Sequence, residues 1–328
     1  MSCHKAHLLW CFHFALILIL PGSAQAFKLR IGYVGLNVPQ SILLVTKEAG
    51  LLDKNGIEPE LIFFSGGSAG VAAMLAGDVP IAQSVGPEIV HAALSGADIV
   101  AVAVAVPRVT MAVVTGKEIT KPEQLKGKRI AVSRFGSLSD GALRLALEKA
   151  GLKQGEVTIL QLGSTPSRVA ALQSGQIGAT IVTMDFAIQA KKLGFNVLLD
   201  LAKLGIVLPQ TGISTTRAYI RQQPEVVRRV VRAYVEGIHY FVTHEKESIN
   251  TITRHLRLSD LPLANEMYRY VRNSIARKPY VPVEGMQNAI SVAALQSPEA
   301  KNLNAEQLTD NRFIKELDDK GFIDQLYK

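Results

Sequence analysis

Val71-Ala72-Ala73-Met74-Leu75-Ala76-Gly77-Asp78-Val79, running into an apolar strand, and Val169-Ala170-Ala171-Leu172-Gln173-Ser174-Gly175-Gln176-Ile177, running into another, are one pattern written twice, 98 residues apart. Earlier in each copy Arg30-Ile31 matches Arg129-Ile130, and Ala49-Gly50-Leu51 matches Ala150-Gly151-Leu152. Leu29–Val106 and Arg129–Ala202 therefore read as two versions of one βαβαβ unit. Short strands alternating with helices predict doubly wound α/β lobes. Two similar lobes in one chain place a cleft between them, with helix starts from both pointing at its contents.

Outward from that repeat, strands are expected at Leu29–Val34, Glu58–Phe64, Val79–Gln83 and Ile99–Val106, with helices at Gln40–Gly50, from the glycine turn at Ser65 to Ala76, and at Pro87–Leu94. The almost unbroken apolar run Ile99–Val106 suits a parallel sheet covered on both faces. The second copy has strands at Arg129–Ser133, Val157–Leu162, Ala179–Thr183 and Asn196–Leu201, and helices at Leu138–Ala150, Pro166–Ser174 and Phe186–Leu193. Pro107–Thr115 and Gly205–Thr215 read as extended crossovers, so the chain visits the second lobe and returns. The expected division is lobe one at 27–107 and 212–328, and lobe two at 108–211. From Pro224 the pattern is helical, and Val227, Val230, Val231, Tyr234, Val235, Ile238, Phe241 and Val242 form one apolar stripe. Arg228, Arg229 and Arg232 fall largely off it and read as a solvated face. The later helices are expected to pack on lobe one.

Residues 1–26 read as an export leader: Lys5 is a positive start, Leu8–Leu20 is apolar, Pro21-Gly22 breaks the run, and Ala24-Gln25-Ala26 offers small residues for cleavage. The apolar run is too short for a membrane span of about 20 residues. Both cysteines, Cys3 and Cys11, and Trp10 leave with it. The mature chain then has no disulfide, thiol nucleophile or cysteine-based metal site. The formal net charge is +8, its basic residues scattered rather than interleaved with aromatics, which points away from nucleic acid. A mild positive field helps attract a small anion.

Chemistry is expected where strands end and helices begin. Ser65-Gly66-Gly67-Ser68-Ala69-Gly70, Phe135-Gly136-Ser137-Leu138-Ser139-Asp140 and Gly163-Ser164-Thr165-Pro166-Ser167-Arg168 each put backbone N–H groups and hydroxyls at a helix start, and Gly86-Pro87 is a fourth such turn. Unpaired donors and partial positive charge there bind anions, although Ser and Thr also cap helices without any ligand. In open α/β sheets the carboxyl ends of strands are where ligands sit. Gly66-Gly67-Ser68-Ala69-Gly70 also fits G-x-S-x-G, and Asp185 with His239 would complete a hydrolase in the right order. No histidine-headed glycine segment for an oxyanion hole accompanies it. His91, His239, His244 and His255 lack zinc-triad spacing, and there is no P-loop or dinucleotide fingerprint, so no cofactor or metal is expected.

Six segments in order, Leu29-Arg30-Ile31-Gly32-Tyr33, Lys47-Glu48-Ala49-Gly50-Leu51, Ser65-Gly66-Gly67-Ser68, Leu75-Ala76-Gly77-Asp78-Val79, Lys121 to Lys128 and Ser174-Gly175-Gln176-Ile177, resemble the periplasmic solute-binding proteins of nitrate/sulfonate/taurine ABC importers. The resemblance covers essentially the whole mature chain. It implies a type II binding-protein fold, a monomer whose cleft closes on a small anionic solute, and delivery to an inner-membrane permease from the periplasm. Carried over residue by residue, the ligand positions are Gln40, Ser65, Gly67, Ser68 and Gly86 in lobe one, and Ser137, Ser139, Asp140, Arg168 and Asp185 in lobe two. Thr183-Met184-Asp185-Phe186 departs from the tryptophan and proline of taurine-type members, which counts against taurine or nitrate. The enzymatic branch of the family carries a cysteine-rich motif that this mature chain cannot have. A secreted hydrolase using Ser68, or a solute sensor reporting to a membrane partner, are the alternatives.

Overall fold

The structure, a computed structural model, describes residues 26–328. The leader reading falls, except for Ala26, outside the described residues. Among the described residues ten strands make two five-stranded sheets. The first contains β1 (Phe27–Tyr33), β2 (Ile57–Phe63), β3 (Ile81–Gln83), β4 (Ile99–Val106) and, much later, β10 (Thr211–Thr216), in the order β2-β1-β3-β10-β4. The second contains β5 (Met111–Thr115), β6 (Arg129–Val132), β7 (Thr158–Gln161), β8 (Ala179–Thr183) and β9 (Asn196–Asp200), in the order β7-β6-β8-β5-β9. The two orders correspond strand for strand, as the repeat predicts. Helices α1 (Ser41–Glu48), α2 (Leu51–Lys54), α3 (Gly67–Leu75) and α4 (Pro87–Leu94) connect the first set, and α5 (Leu138–Lys149), α6 (Thr165–Gln173) and α7 (Met184–Lys192) the second.

Both crossovers end in a strand that enters the other sheet antiparallel: β5 lies between β8 and β9, and β10 between β3 and β4. For Ile99–Val106 the expected direction holds, since β4 runs parallel to β1, β2 and β3, but the antiparallel β10 is inserted beside it. All eight residues of β4 are buried, and among the described residues it pairs with the antiparallel β10 and, by one isolated parallel bridge from Ala101, with Thr309. Its outer edge is covered by irregular chain, with Val104 N–H donating to the Pro279 carbonyl (2.9 Å), Ala276 N–H to Ala105 (2.8 Å) and Asp310 N–H to Ala101 (2.9 Å). Burial on both faces made the run wholly apolar, and burial carries no record of which strand lies alongside.

The remaining chain is α8 (Arg217–Gln222), α9 (Pro224–Thr243), α10 (Glu245–Leu256), α11 (Leu261–Arg272), α12 (Val283–Ala293), α13 (Arg312–Asp319) and α14 (Phe322–Leu326). The α9 stripe is buried from Val227 to Phe241, with Val242 partly so, and it packs on α1 and α2 of the first lobe. Each such burial is worth about 1.5–3 kcal/mol. Arg228 pairs with Glu225 (2.7 Å) and Glu316 (2.9 Å), and the exposed Arg232 lies over the Phe322 ring, so this is a solvent-facing side carrying surface pairs. Beyond lobe one, α11 also packs on α7 and α12 on α5, bridging to the second sheet's helices.

Candidate functional site

Six helix starts converge between the two sheets. From the first come the starts of α1, α3 and α4, each following a strand. From the second come those of α5, α6 and α7. They surround a cavity of ≈ 70 Å³, closed along its remaining side by Met111, Gln210 and Thr211 of the crossovers.

On the first side Gln40 is buried, its Oε1 accepting from Val34 N–H (3.2 Å) and from Gln83 Nε2 (2.9 Å). The α3 start has no side chain to spare. Gly66 sits at φ +130°, where only glycine is comfortable, and a Cβ there would lie 2.9 Å from Ser133 Oγ on the opposite lobe. At Gly67 a Cβ would lie 2.5 Å from Glu88 Oε1. Glu88, in the first turn of α4, is 3% exposed, and its Oε1 accepts from Ser84 Oγ at 2.7 Å. Burial pushes its carboxyl up to about 7.

The second side is built from hydroxyls. Ser133, Ser137 and Ser139 form a closed triangle with Oγ–Oγ separations of 2.9, 2.8 and 3.0 Å, and Ser139 Oγ also accepts from Ser133 N–H. Ser164, Thr165 and Thr183 add three more at the other two helix starts. Behind them Arg168 is 3% exposed. Its Nε donates to the Gly163 carbonyl (3.2 Å), Nη2 to Thr165 Oγ1 (3.0 Å), and Nη1 to Thr180 Oγ1 (3.3 Å) and the Ile181 carbonyl. All these acceptors are neutral. Four of five guanidinium N–H groups are thus used and the cation has no carboxylate partner among the described residues, so burial lowers its pKa to about 10.

Of the residues expected from sequence, Gln40, Ser65, Gly67, Ser137, Ser139 and Arg168 line this cavity. Four do not. Ser68 Oγ donates to the Phe135 carbonyl across the gap (3.0 Å), outside the lining. Gly86 is the N-cap of α4 and is not among the lining residues. Asp140 is spent on Gly136 N–H (2.9 Å), Arg144 Nε (3.0 Å) and Gln296 Nε2 (3.0 Å). Asp185 Oδ2 accepts from Val38 N–H (2.9 Å), a bond from one lobe to the other, and burial raises its pKa. Asp185 with Val38, Ser68 with Phe135, and Arg134 Nη2 donating to Ser65 Oγ (3.2 Å) join the two sides of the cavity.

Glu88, Ser133, Thr183 and Gln210 line the cavity without having been singled out. Glu88 follows Gly86-Pro87 directly, a signal that was readable. Gln210 comes from a crossover, and it accepts from Thr110 N–H at 2.6 Å; no local pattern marks it. The hydrolase geometry is not assembled. The carbonyl of His239 accepts from Thr243, its ring meets Tyr327 edge-on at 4.8 Å, and neither it nor Asp185 bonds Ser68.

Known proteins share both sequence and fold with this chain. A Brucella abortus (strain 2308) protein named as a binding protein is 26% identical over 255 residues, 75% of this chain and 78% of its own. The taurine-binding periplasmic protein of Escherichia coli (strain K12) is 31% identical over 160 residues, 46% of this chain and 48% of its own. The E. coli periplasmic aliphatic sulphonate binding protein SsuA superposes with a TM-score of 0.68 at 22% identity, over 86% of this chain and 97% of that one. The desulfurization enzyme DSZB shares the fold as well, with a TM-score of 0.62 at 17% identity, over 90% and 99%. The family described as NMT1/THI5 like matches residues 37–248, and the chain belongs to it.

Proposed function

We propose that this protein is the extracytoplasmic solute-binding component of an ABC importer, taking a small anion of the sulfonate, nitrate or taurine kind in its inter-lobe cavity and passing it unaltered to an inner-membrane permease. The observation that carries this is the convergence of six helix starts on one enclosed space whose only full cation, Arg168, has no carboxylate partner among the described residues. Helix N-termini and a buried guanidinium compensate an anion without any covalent step. The sulfonate- and taurine-binding relatives support the solute class.

In this reading lobe one is 27–107 with 212–328, lobe two is 108–211, and the crossovers are the hinge. The leader at 1–26 directs the chain to the periplasm, where it acts as a monomer. Melting the mature chain against alkanesulfonates, taurine, nitrate and carboxylates tests the proposal. Saturation at 100 times Kd adds about 2.7 kcal/mol, so one member should raise Tm by several degrees without being consumed. A panel without any shift, or turnover of a stabilising compound, would overturn it.

A further inference from the structure

The crossover wall of the cavity holds a buried donor with no partner among the described residues. Gln210 lies in the second crossover, one residue before β10, is 5% exposed and lines the cavity. Its Oε1 accepts from Thr110 N–H (2.6 Å) and from Thr110 Oγ1 (3.1 Å), both in the first crossover. A backbone N–H can only donate, so this bond decides which end of the amide is the oxygen. The other end, Nε2, is the unpartnered atom. The frame around it is fixed as well: Gln210 N–H donates to the Val106 carbonyl (2.9 Å), and the Thr110 carbonyl accepts from Met184 N–H (2.8 Å) at the start of α7. A buried amide donor left this way is costly unless a ligand or water meets it.

We propose that Gln210 is a specificity-determining residue of the cavity: its Nε2 donates to an oxygen of the bound solute, which makes the hinge itself part of the binding site. This rests on the solute-binding reading above and deepens it. The other donors, the lobe-two hydroxyls and the helix-start N–H groups, travel with a jaw. A crossover joins the jaws, so its donor stays in place while they part and holds the solute before they close. Ser and Thr hydroxyls turn to donate or to accept, whereas an amide nitrogen only donates. Nε2 therefore selects an oxygen acceptor, and it does so without adding charge to a cavity whose charged lining groups are Glu88 and Arg168. A solute that turns a methyl or an N–H towards the crossover leaves Nε2 unpaired and is rejected for it.

Calorimetric titration of the mature protein and of Gln210→Glu with the alkanesulfonates, taurine, nitrate and carboxylates above tests it. The variant keeps the shape and an oxygen for both Thr110 donors, but a second oxygen replaces the Nε2 donor. Protonated, that carboxyl can still donate; ionised, it sets like charge against the solute. For the compound that the wild type binds best, the ratio of variant to wild-type Kd should stay within a few-fold near about pH 5 and reach about 30-fold or more at about pH 8.5. Glu88, Arg168 and Asp185 are present in both proteins and cancel from the ratio. A ratio near one throughout would overturn the proposal. So would a loss that does not change with pH, which would make Gln210 a strut between the crossovers and nothing more. If the variant does not fold, a crystal structure of the wild type with that compound decides. A solute oxygen within about 3.2 Å of Nε2 supports the proposal, and a filled cavity in which Nε2 meets no solute oxygen overturns it. Each of these outcomes leaves solute binding itself intact, whereas failure of every compound to bind the wild type would overturn both readings.

Discussion

The two lobes repeat one pattern, yet they meet the cavity with different chemistry. Lobe one offers glycines at two of its three helix starts, Gly66 and Gly86, neither start having a side-chain cap, and one buried acid. Lobe two places hydroxyl residues, Ser137, Ser164 and Thr183, at the N-cap positions of the equivalent helices, of which Ser164 alone caps with its side chain, and backs them with Arg168. Bare glycine lets lobe one come close, as the Gly66–Ser133 approach requires. Hydroxyls let lobe two rotate donors to suit an oxyanion. One jaw supplies fit and the other supplies charge and adaptable hydrogen bonds.

The largest effect should come from Arg168→Met. Removing the guanidinium takes the donor from the Gly163 and Ile181 carbonyls and from Thr165 Oγ1, while Thr180 Oγ1 keeps its bond to Ala131, at about 1–3 kcal/mol for each buried group left unpaired. Stability should fall by about 3 kcal/mol or more in a denaturant melt, and anion binding should vanish. If binding survived in the folded variant, lobe two would not be the charged jaw.

The acid of lobe one gives the next. Its folded pKa of about 7 lies above the ordinary 4.5, so its stabilising contribution is complete below pH 4.5 and lost as pH rises through 7. Glu88→Gln should match the wild type near pH 4.5 and exceed it at pH 8.5 by roughly 3 kcal/mol, at 1.36 kcal/mol per pKa unit. Difference melts across that range check it; a flat difference would mean the acid is not strained by burial.

Gly66→Ala forces a β-carbon into an unfavourable backbone region and against Ser133, at about 1–3 kcal/mol. Because the clash exists only when the jaws meet, affinity should suffer at least as much as stability. Equal affinity would break the idea that lobe one serves close approach. Ser137→Ala should do least, under about 1 kcal/mol, since Ser133 and Ser139 keep their 2.8 Å bond. A several-fold loss of affinity with Tm nearly unchanged would mark these hydroxyls as solute contacts.

The duplicated strand–helix pattern made the topology legible, because each copy repeats the same alternation and the same turn. Helix starts were legible for the same reason: Gly and Ser after an apolar strand announce where chain direction changes. What spacing cannot show is which way a helix-start carboxylate turns. Asp140 and Asp185 read as site residues, but one serves Gly136, Arg144 and Gln296 and the other Val38. Glu88, equally a first-turn acid, lines the cavity instead. The insertion of β10 beside β4 was hidden because a strand buried on both faces has the same composition whichever neighbour it pairs with.

Closure around a shared gap is most directly measured by cross-linking its lips. A β-carbon on Gly163 would lie 3.7 Å from that of Ser65, the separation a disulfide needs. In the chain from Phe27 onward, which has no other cysteine, Ser65→Cys with Gly163→Cys should bridge under mild oxidation. The bridge should form faster in the presence of whichever anion raises the melting temperature. Cysteines that stay free, or that bridge at one rate whether or not the anion is there, would contradict two jaws closing on a solute.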